Sequence, residues 1–366
     1  METKYSRHAK GCVKMINNSL NNSLNNSPQF WINQNWGEFM PKISKKDFGI
    51  RYSYRFEIAS LLFLSGNFEA VLDYWFALHS LFNGCYSGTL WFLQQLKCRI
   101  SSLPMKFKLY KAANDGLLDY MSLFVILHEI AHGVYISYPD LKRDAFSEID
   151  KELQTLINSF RECDIIKSPL IHDLHNKKRE LEKLGLDSEK IMTIENLISL
   201  SQNEIGDLDK VMLKEELACD LYSLSISVQV VNYRTKSKNE YLSFYKGSIL
   251  ALILISRYNY IAKRYVKLQD DERYAMNHDA ELVRLQFYNN ECIQGLKSRR
   301  IDTTSYYNVI KRATIAWLSK VNNYVDKYYQ FILEAANGIN KQDTSETQAI
   351  SCLERLETII MKKYLL

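Results

Sequence analysis

Three polar side chains interrupt the longest apolar segment of this chain. Residues 121–138 are rich in Leu, Ile, Val and Ala, yet they include His128, Glu129 and His132. An apolar segment of this kind is typical of a buried helix, and burying imidazole or carboxylate groups without partners costs several kcal/mol. The fold must therefore supply partners for these three groups, and this requirement constrains it more than any other feature of the sequence.

The three residues form the pattern His-Glu-x-x-His, Leu127-His-Glu-Ile-Ala-His132. Four residues make slightly more than one helical turn, so both imidazoles leave the same face and can bind one metal ion. Glu129 points about a quarter turn aside, where it can act as a general base on a bound water. We predict His128 and His132 as metal ligands, with two hydrogen-bonded core histidines as the alternative.

A catalytic zinc site needs a third protein ligand and an open fourth position. The segment Lys214-Glu-Glu-Leu-Ala-Cys-Asp220 places Glu216 and Asp220 four residues apart, on one face of a predicted helix. We predict that Glu216 is the third ligand and that Asp220 accepts a hydrogen bond from the outer nitrogen of a ligating histidine. The alternative is an acidic helix start, which the helix dipole favours.

Together, the two motifs resemble those of the Glu-dependent zincin metallopeptidases, or gluzincins, such as the CAAX-prenyl endopeptidases and the heat-shock membrane metallopeptidases. The resemblance implies one zinc ion per chain. Those families also carry a His-Pro motif with an Arg six residues after the His. His278 and Arg284 keep this spacing, although Asp279 replaces the Pro. The resemblance implies that both side chains bind the oxyanion or orient the substrate; a surface His and an ion pair with Glu281 are the alternatives.

Composition and cysteine usage favour a cytoplasmic protein. Seven dispersed cysteines without a Cys-x-x-Cys pair indicate reduced thiols, and the N-terminus lacks the apolar region of a signal peptide. A net charge of +5 is too small to indicate a nucleic-acid partner. We expect no membrane span, unlike in the families named above, and the chain is in this respect similar to a soluble phage-exclusion protease.

With only 5 Pro and 13 Gly in 366 residues, a mainly helical fold is expected. We predict an α+β, zincin-like fold: a helical body around the motif helix, which begins near Asp115, and a small β-sheet near residues 48–56 and 105–110, where apolar and polar residues alternate. Substrate would pair with the strand at 105–110. Further helices are expected near residues 208–231, 241–266, 278–295, 304–336 and 346–364.

The expected domain organisation is a flexible tail over the Asn- and Ser-rich residues 1–40 and a single metallopeptidase domain over residues 41–366. Residues 141–214 are rich in charged and polar residues and are predicted to be a helical insertion in that domain.

The function expected from these features is that of a zinc-dependent endopeptidase that cleaves an intracellular protein or peptide substrate, with a phage-exclusion or toxin-like role suggested by the resemblance. Two alternatives stay open. One is a helical interaction or regulatory protein with a structural or degenerate zinc site. The other is a zinc hydrolase of a non-peptide substrate, because activation of water is the same chemistry for other acyl centres.

Overall fold

The computed structural model confirms the predicted mainly helical fold class with a small β-sheet. Of the described residues, 85% are helical, and three short strands form one small sheet. The structure describes residues 10–18, 28–33, 42–82, 84–101, 104–162, 207–234, 237–265, 278–311, 313 and 345–362.

The elements are numbered in chain order. The strands are β1 (Trp31–Asn33), β2 (Lys42–Ile43) and β3 (Gly49–Arg51). The helices are α1 (10–18), α2 (Tyr54–Leu64), α3 (Phe68–Phe82), α4 (Tyr86–Ser101), α5 (Pro104–Ser137), α6 (Pro139–Glu162), α7 (Asp207–Arg234), α8 (Lys238–Tyr265), α9 (His278–Ser298), α10 (304–311) and α11 (Glu346–Ile360).

The chain divides into two compact units. The larger unit comprises Met1–Ser137, Tyr222–Leu268 and Cys292–Leu366, and the smaller unit comprises Tyr138–Leu221 and Gln269–Glu291. Helices α7 and α9 each contribute residues to both units.

Aromatic packing and a charged group join helices α3 and α4 of the larger unit. Phe76 stacks on Phe92, with ring centroids 5.3 Å apart. Arg99 of α4 donates from Nε to Asp73 Oδ2 at 2.7 Å and from Nη1 to Glu69 Oε2. The Asp73 side chain is fully buried, whereas that of Arg99 is 24% exposed. We call Glu69, Asp73 and Arg99 the α3 triad.

The last described helix, α11, packs on the rest of the larger unit. Glu357, which is 1% exposed, accepts hydrogen bonds from Tyr54, Arg55 and Tyr74, each at 2.8 Å. Its neighbour Leu356 is also buried. These bonds tie the C-terminal helix to α2 and α3.

Helix α5 carries the His-Glu-x-x-His motif and is packed closely on α8 and α7. A Cβ atom at Gly247 of α8 would lie 2.6 Å from Tyr120 Cβ and 2.9 Å from the Leu117 carbonyl oxygen, so a larger side chain would force α8 away from α5. The Ser223 hydroxyl of α7 donates to the Phe124 carbonyl at 2.9 Å. These contacts fix the helix over about three turns before the motif begins.

The small sheet packs on α5 directly after the motif. A Cβ atom at Gly133 would lie 2.5 Å from Ile43 Cδ1 and 2.5 Å from Phe30 Cε1. Glycine at this position therefore allows β2 and the residue before β1 to approach the helix closely. The strand order is β1-β3-β2, with β1 parallel and β2 antiparallel to β3.

The predicted position of the first strand is only partly right. Strand β3 covers Gly49–Arg51, and Ile50 and Tyr52 are buried, as the alternation predicts. The chain then turns into α2, because Ser53 adopts an extended backbone and its side chain accepts a hydrogen bond from the Arg55 amide. This N-cap ends the extended segment before residue 56.

The second predicted strand, at 105–110, is wrong. These residues lie in α5, which begins at Pro104 and continues to Ser137 without a start at Asp115. Proline is favourable in the first turn of a helix, and Met, Lys, Leu and Ala are good helix formers. A six-residue alternation is too short to outweigh these preferences. Because residues 105–110 are helical, a substrate cannot pair with them as an edge strand.

Two stretches of residues 1–40 are ordered parts of the fold, where the sequence predicts a flexible tail. Helix α1 buries Cys12, Val13 and Ile16, and β1 pairs with β3 from Trp31 to Asn33. The Asn17 side chain accepts a hydrogen bond from the Phe30 amide at 2.9 Å and donates to the Phe30 carbonyl at 2.8 Å. The central part of the Asn/Ser repeat, residues 19–27, lies outside the described residues.

In the described part of the chain, the smaller unit comprises α6 and the N-terminal parts of α7 and α9. Its helices are joined by ion pairs: Lys142 contacts Glu215 at 2.8 Å, and Lys214 contacts Asp150. The predicted polar insertion, 141–214, coincides with much of this unit, although residues 163–206 lie outside the described part of the chain.

Among the described residues, one segment has the length and composition of a membrane-crossing helix. It is Gly116–Ser137, with a mean hydropathy of 1.3 in its most apolar window, and 78% of that window is buried inside the protein. Core helices of soluble proteins have the same properties.

Candidate metal centre

The two motif histidines lie side by side on α5. Their Nε2 atoms are 3.2 Å apart, and their ring centroids are separated by 4.9 Å with planes at 81°. Two nitrogen ligands about 2.0–2.1 Å from one zinc ion, at a tetrahedral angle, are about 3.3 Å apart. The imidazoles are thus spaced as two ligands of one ion would be.

Glu216 supplies a third donor. One ligand atom from each of His128, His132 and Glu216 lies within 4.8 Å of the other two. Glu216 is on α7, about two turns before Ser223 on the same helix. His128 is 7% exposed, whereas His132 and Glu216 are half-buried. These three residues can hold a metal ion, and two imidazoles with one carboxylate form a donor set that zinc sites use.

Asp220 and Arg284 form a buried ion pair in the smaller unit. Arg284 donates from Nε to Asp220 Oδ2 at 2.7 Å and from Nη2 to Asp220 Oδ1 at 2.8 Å. Its Nη1 atom lies 2.8 Å from Glu216 Oε2. The side chains of Arg284 and Asp220 are 3% and 0% exposed, and that of Glu216 is 26% exposed. We call Glu216, Asp220 and Arg284 the α7 triad.

The α7 triad was not foreseen from the sequence in this form. The six-residue spacing from His278 predicts that Arg284 binds the oxyanion or orients the substrate, and the alternative is a surface ion pair with Glu281. Arg284 instead binds the two acids of the Glu-x-x-x-Asp motif and is buried. A Glu and an Asp on one face of a helix need a nearby cation when buried, and this requirement was the available signal.

The other predicted site residues have the following positions. Glu129 lies on α5 and is half-buried. His278 is the first residue of α9, and its side chain lies outside the described part. The predicted hydrogen bond from a ligating histidine to Asp220 stays a prediction.

Two tyrosines of the larger unit, one on α5 and one on α7, lie next to each other. Tyr135, one turn after His132, is 7% exposed, and its ring is 6.0 Å from that of Tyr222. Burial raises the pKa of Tyr222 to about 12, so its hydroxyl remains protonated at neutral pH.

No family model, curated protein or solved structure matches this chain.

Proposed function

We propose that the chain is a zinc-dependent endopeptidase whose metal is held by His128, His132 and Glu216. The observation that carries this proposal is the convergence of the three donors, above all the 3.2 Å between the two Nε2 atoms. Two of the three donors belong to a His-Glu-x-x-His motif, which also supplies the carboxylate of Glu129.

The proposed chemistry needs few groups. Zinc, when bound, would lower the pKa of a water molecule toward about 7 and polarise a carbonyl. Glu129 accepts the proton of the attacking water and delivers it to the leaving amine, so that the peptide bond breaks into a carboxylate and an amine. His278 is proposed to donate to the oxygen of the scissile carbonyl.

We also propose a cytoplasmic location, a protein or peptide substrate and a selective, phage-exclusion or toxin-like role. None of the six cysteines in the described part of the chain forms a disulfide, which supports a reducing compartment. The apolar segment Gly116–Ser137 is proposed to be a core helix, in keeping with its burial.

The test compares the wild type with Glu129→Gln and, as a matched control, Asp119→Asn, which alters another half-buried carboxylate of α5. Wild type should contain about one zinc per chain. Glu129→Gln should retain the zinc and the circular dichroism spectrum but lose at least about 100-fold in cleavage, because a general base contributes this much or more. Asp119→Asn should remain active.

Substrates are identified by comparing cleaved peptides in cells that express each variant. A native wild type without metal would contradict the proposal. Zinc binding with a Glu129-dependent non-peptide product would favour a hydrolase of another acyl substrate. An unchanged biological effect of Glu129→Gln would favour the interaction protein.

A further inference from the structure

The guanidinium of Arg284 already contacts carboxylate oxygens through all three of its nitrogen atoms. Nε and Nη2 donate to the two oxygens of Asp220, and Nη1 lies 2.8 Å from Glu216 Oε2. The side chain is 3% exposed. A group held in this way is poorly placed to move to a substrate, because each contact is charge-assisted and buried.

We infer that Arg284 is a positioning residue, which holds one oxygen of Glu216 and so leaves a single oxygen of that carboxylate for the metal. This inference rests on the proposed function. A carboxylate can bind a metal ion through one oxygen or through two. With Oε2 engaged by Arg284, Glu216 would offer Oε1 alone to a metal ion, which would leave the fourth position of a tetrahedral site open for water.

The bidentate pair with Asp220 makes this arrangement rigid. Two parallel N–H···O bonds fix the plane of the guanidinium as well as its position, and Asp220 is fully buried one turn along α7 from Glu216. The direction in which Nη1 points is therefore fixed by Asp220. The Glu-x-x-x-Asp spacing thus acquires a physical meaning: the Asp holds the Arg that holds the Glu.

The chain offers a matched control for the Arg. Arg99 of the α3 triad contacts an Asp and a Glu through the same nitrogens, Nε and Nη1, and these acids are also four residues apart. In the described residues, the α3 triad is not among the groups of side chains that could hold a metal ion. Substitution of Arg99 therefore removes a triad of the same chemistry without altering a ligand.

The experiment uses the full chain, freed of metal by a chelator and titrated with Co²⁺ or Zn²⁺, for wild type, Arg284→Met, Arg284→Lys and Arg99→Met. Four-coordinate Co²⁺ absorbs more strongly in the visible than five- or six-coordinate Co²⁺. In Arg284→Met we expect one metal per chain, a weaker visible band, and an affinity for Zn²⁺ about 10- to 100-fold lower, as for loss of other partners of metal ligands. Arg99→Met should keep the wild-type spectrum and affinity.

Arg284→Lys keeps a positive charge but presents no rigid pair of donors, so its spectrum should lie between those of wild type and Arg284→Met. It also serves if Arg284→Met does not fold. A wild-type spectrum and affinity in either Arg284 variant, or the same change in Arg99→Met, would overturn the inference and leave the proposed metal site intact. A wild type that binds neither metal would overturn the proposed function itself.

Discussion

The α3 and α7 triads have the same construction and different surroundings. In each, a Glu and an Asp four residues apart on one helix bind an Arg from another helix, and the Arg uses Nη1 for the Glu and Nε for the Asp. Only the α7 triad shares its Glu with two histidines among the described residues. The Glu-x-x-x-Asp pattern is therefore a device for joining helices, and the nearby histidines give one copy its candidate chemistry.

The two triads also differ in burial. Arg284 is 3% exposed and binds Asp220 through two hydrogen bonds, whereas Arg99 is 24% exposed and contacts Asp73 through Nε. Water can reach Arg99 if its acid partner is lost, but it reaches Arg284 far less. The α7 triad should therefore tolerate the loss of a partner much less well than the α3 triad.

The largest expected effect follows from this difference. Asp220→Asn leaves Arg284 buried without its bidentate partner and should lower the free energy of unfolding of the metal-free protein by about 3–5 kcal/mol. Asp73→Asn should cost less, about 1.5–3 kcal/mol, because it weakens a buried hydrogen bond to a charged group while Arg99 is partly solvated and keeps Glu69. Urea denaturation at neutral pH measures both values. Equal losses would show that burial does not distinguish the two triads.

A second effect concerns the metal. If Glu216 is a ligand as proposed, Glu216→Gln should weaken zinc binding by at least about 100-fold, because a neutral amide replaces the carboxylate; loss of an outer partner costs at most about this much. Glu69→Gln makes the same change in the α3 triad and should leave zinc affinity unchanged. Competition with a chromophoric chelator measures both. An equal loss of zinc affinity in Glu69→Gln would show that zinc binding does not depend specifically on the Glu of the α7 triad.

The sequence allowed much of the fold to be predicted because its strongest signals are helical. The predictions near 208–231, 241–266 and 278–295 correspond to α7, α8 and α9 within a few residues. The motif helix and the shared face of His128 and His132 could also be predicted, since spacing on a helix fixes which side chains share a face. Glu216 could be predicted only from the need for a third ligand, and one of its carboxylate oxygens lies within 4.8 Å of a donor atom on each histidine.

What could not be predicted depends on tertiary contacts. The start of α5 at Pro104 could not be predicted, because the alternation of apolar and polar residues at 105–110 is typical of a strand. The structure continues these residues into the same helix as the motif. The partner of Arg284 was hidden because an ion pair between α7 and α9 joins residues 64 positions apart. Two Glu-x-x-x-Asp segments occur in the sequence, at 69–73 and 216–220, and only the second follows the His-Glu-x-x-His motif.

The smallest expected effect lies at Glu215, the residue next to the proposed ligand. Glu215→Gln removes the same unit of negative charge as Glu216→Gln. The substitution also removes the ion pair of Glu215 with Lys142, whose side chains are 35% and 33% exposed, respectively. An ion pair of this exposure contributes about 0–1 kcal/mol, so the free energy of unfolding should barely change. Zinc affinity, measured with the same chelator, should stay within about 3-fold of wild type, a difference of about 0.7 kcal/mol.

The contrast between the two neighbours separates coordination from general attraction. At about 0.15 M salt, the attraction of a metal ion to a solvated carboxylate is screened over about 8 Å. A carboxylate oxygen that binds the ion directly makes a contact that a neighbouring charge cannot replace. If Glu215→Gln weakened zinc binding as much as Glu216→Gln, negative charge on α7 would account for the affinity. The α7 triad would then differ from the α3 triad in its burial and in its nearby histidines, but not in coordinating the metal. A large loss in Glu216→Gln alone makes the difference between the triads one of ligation.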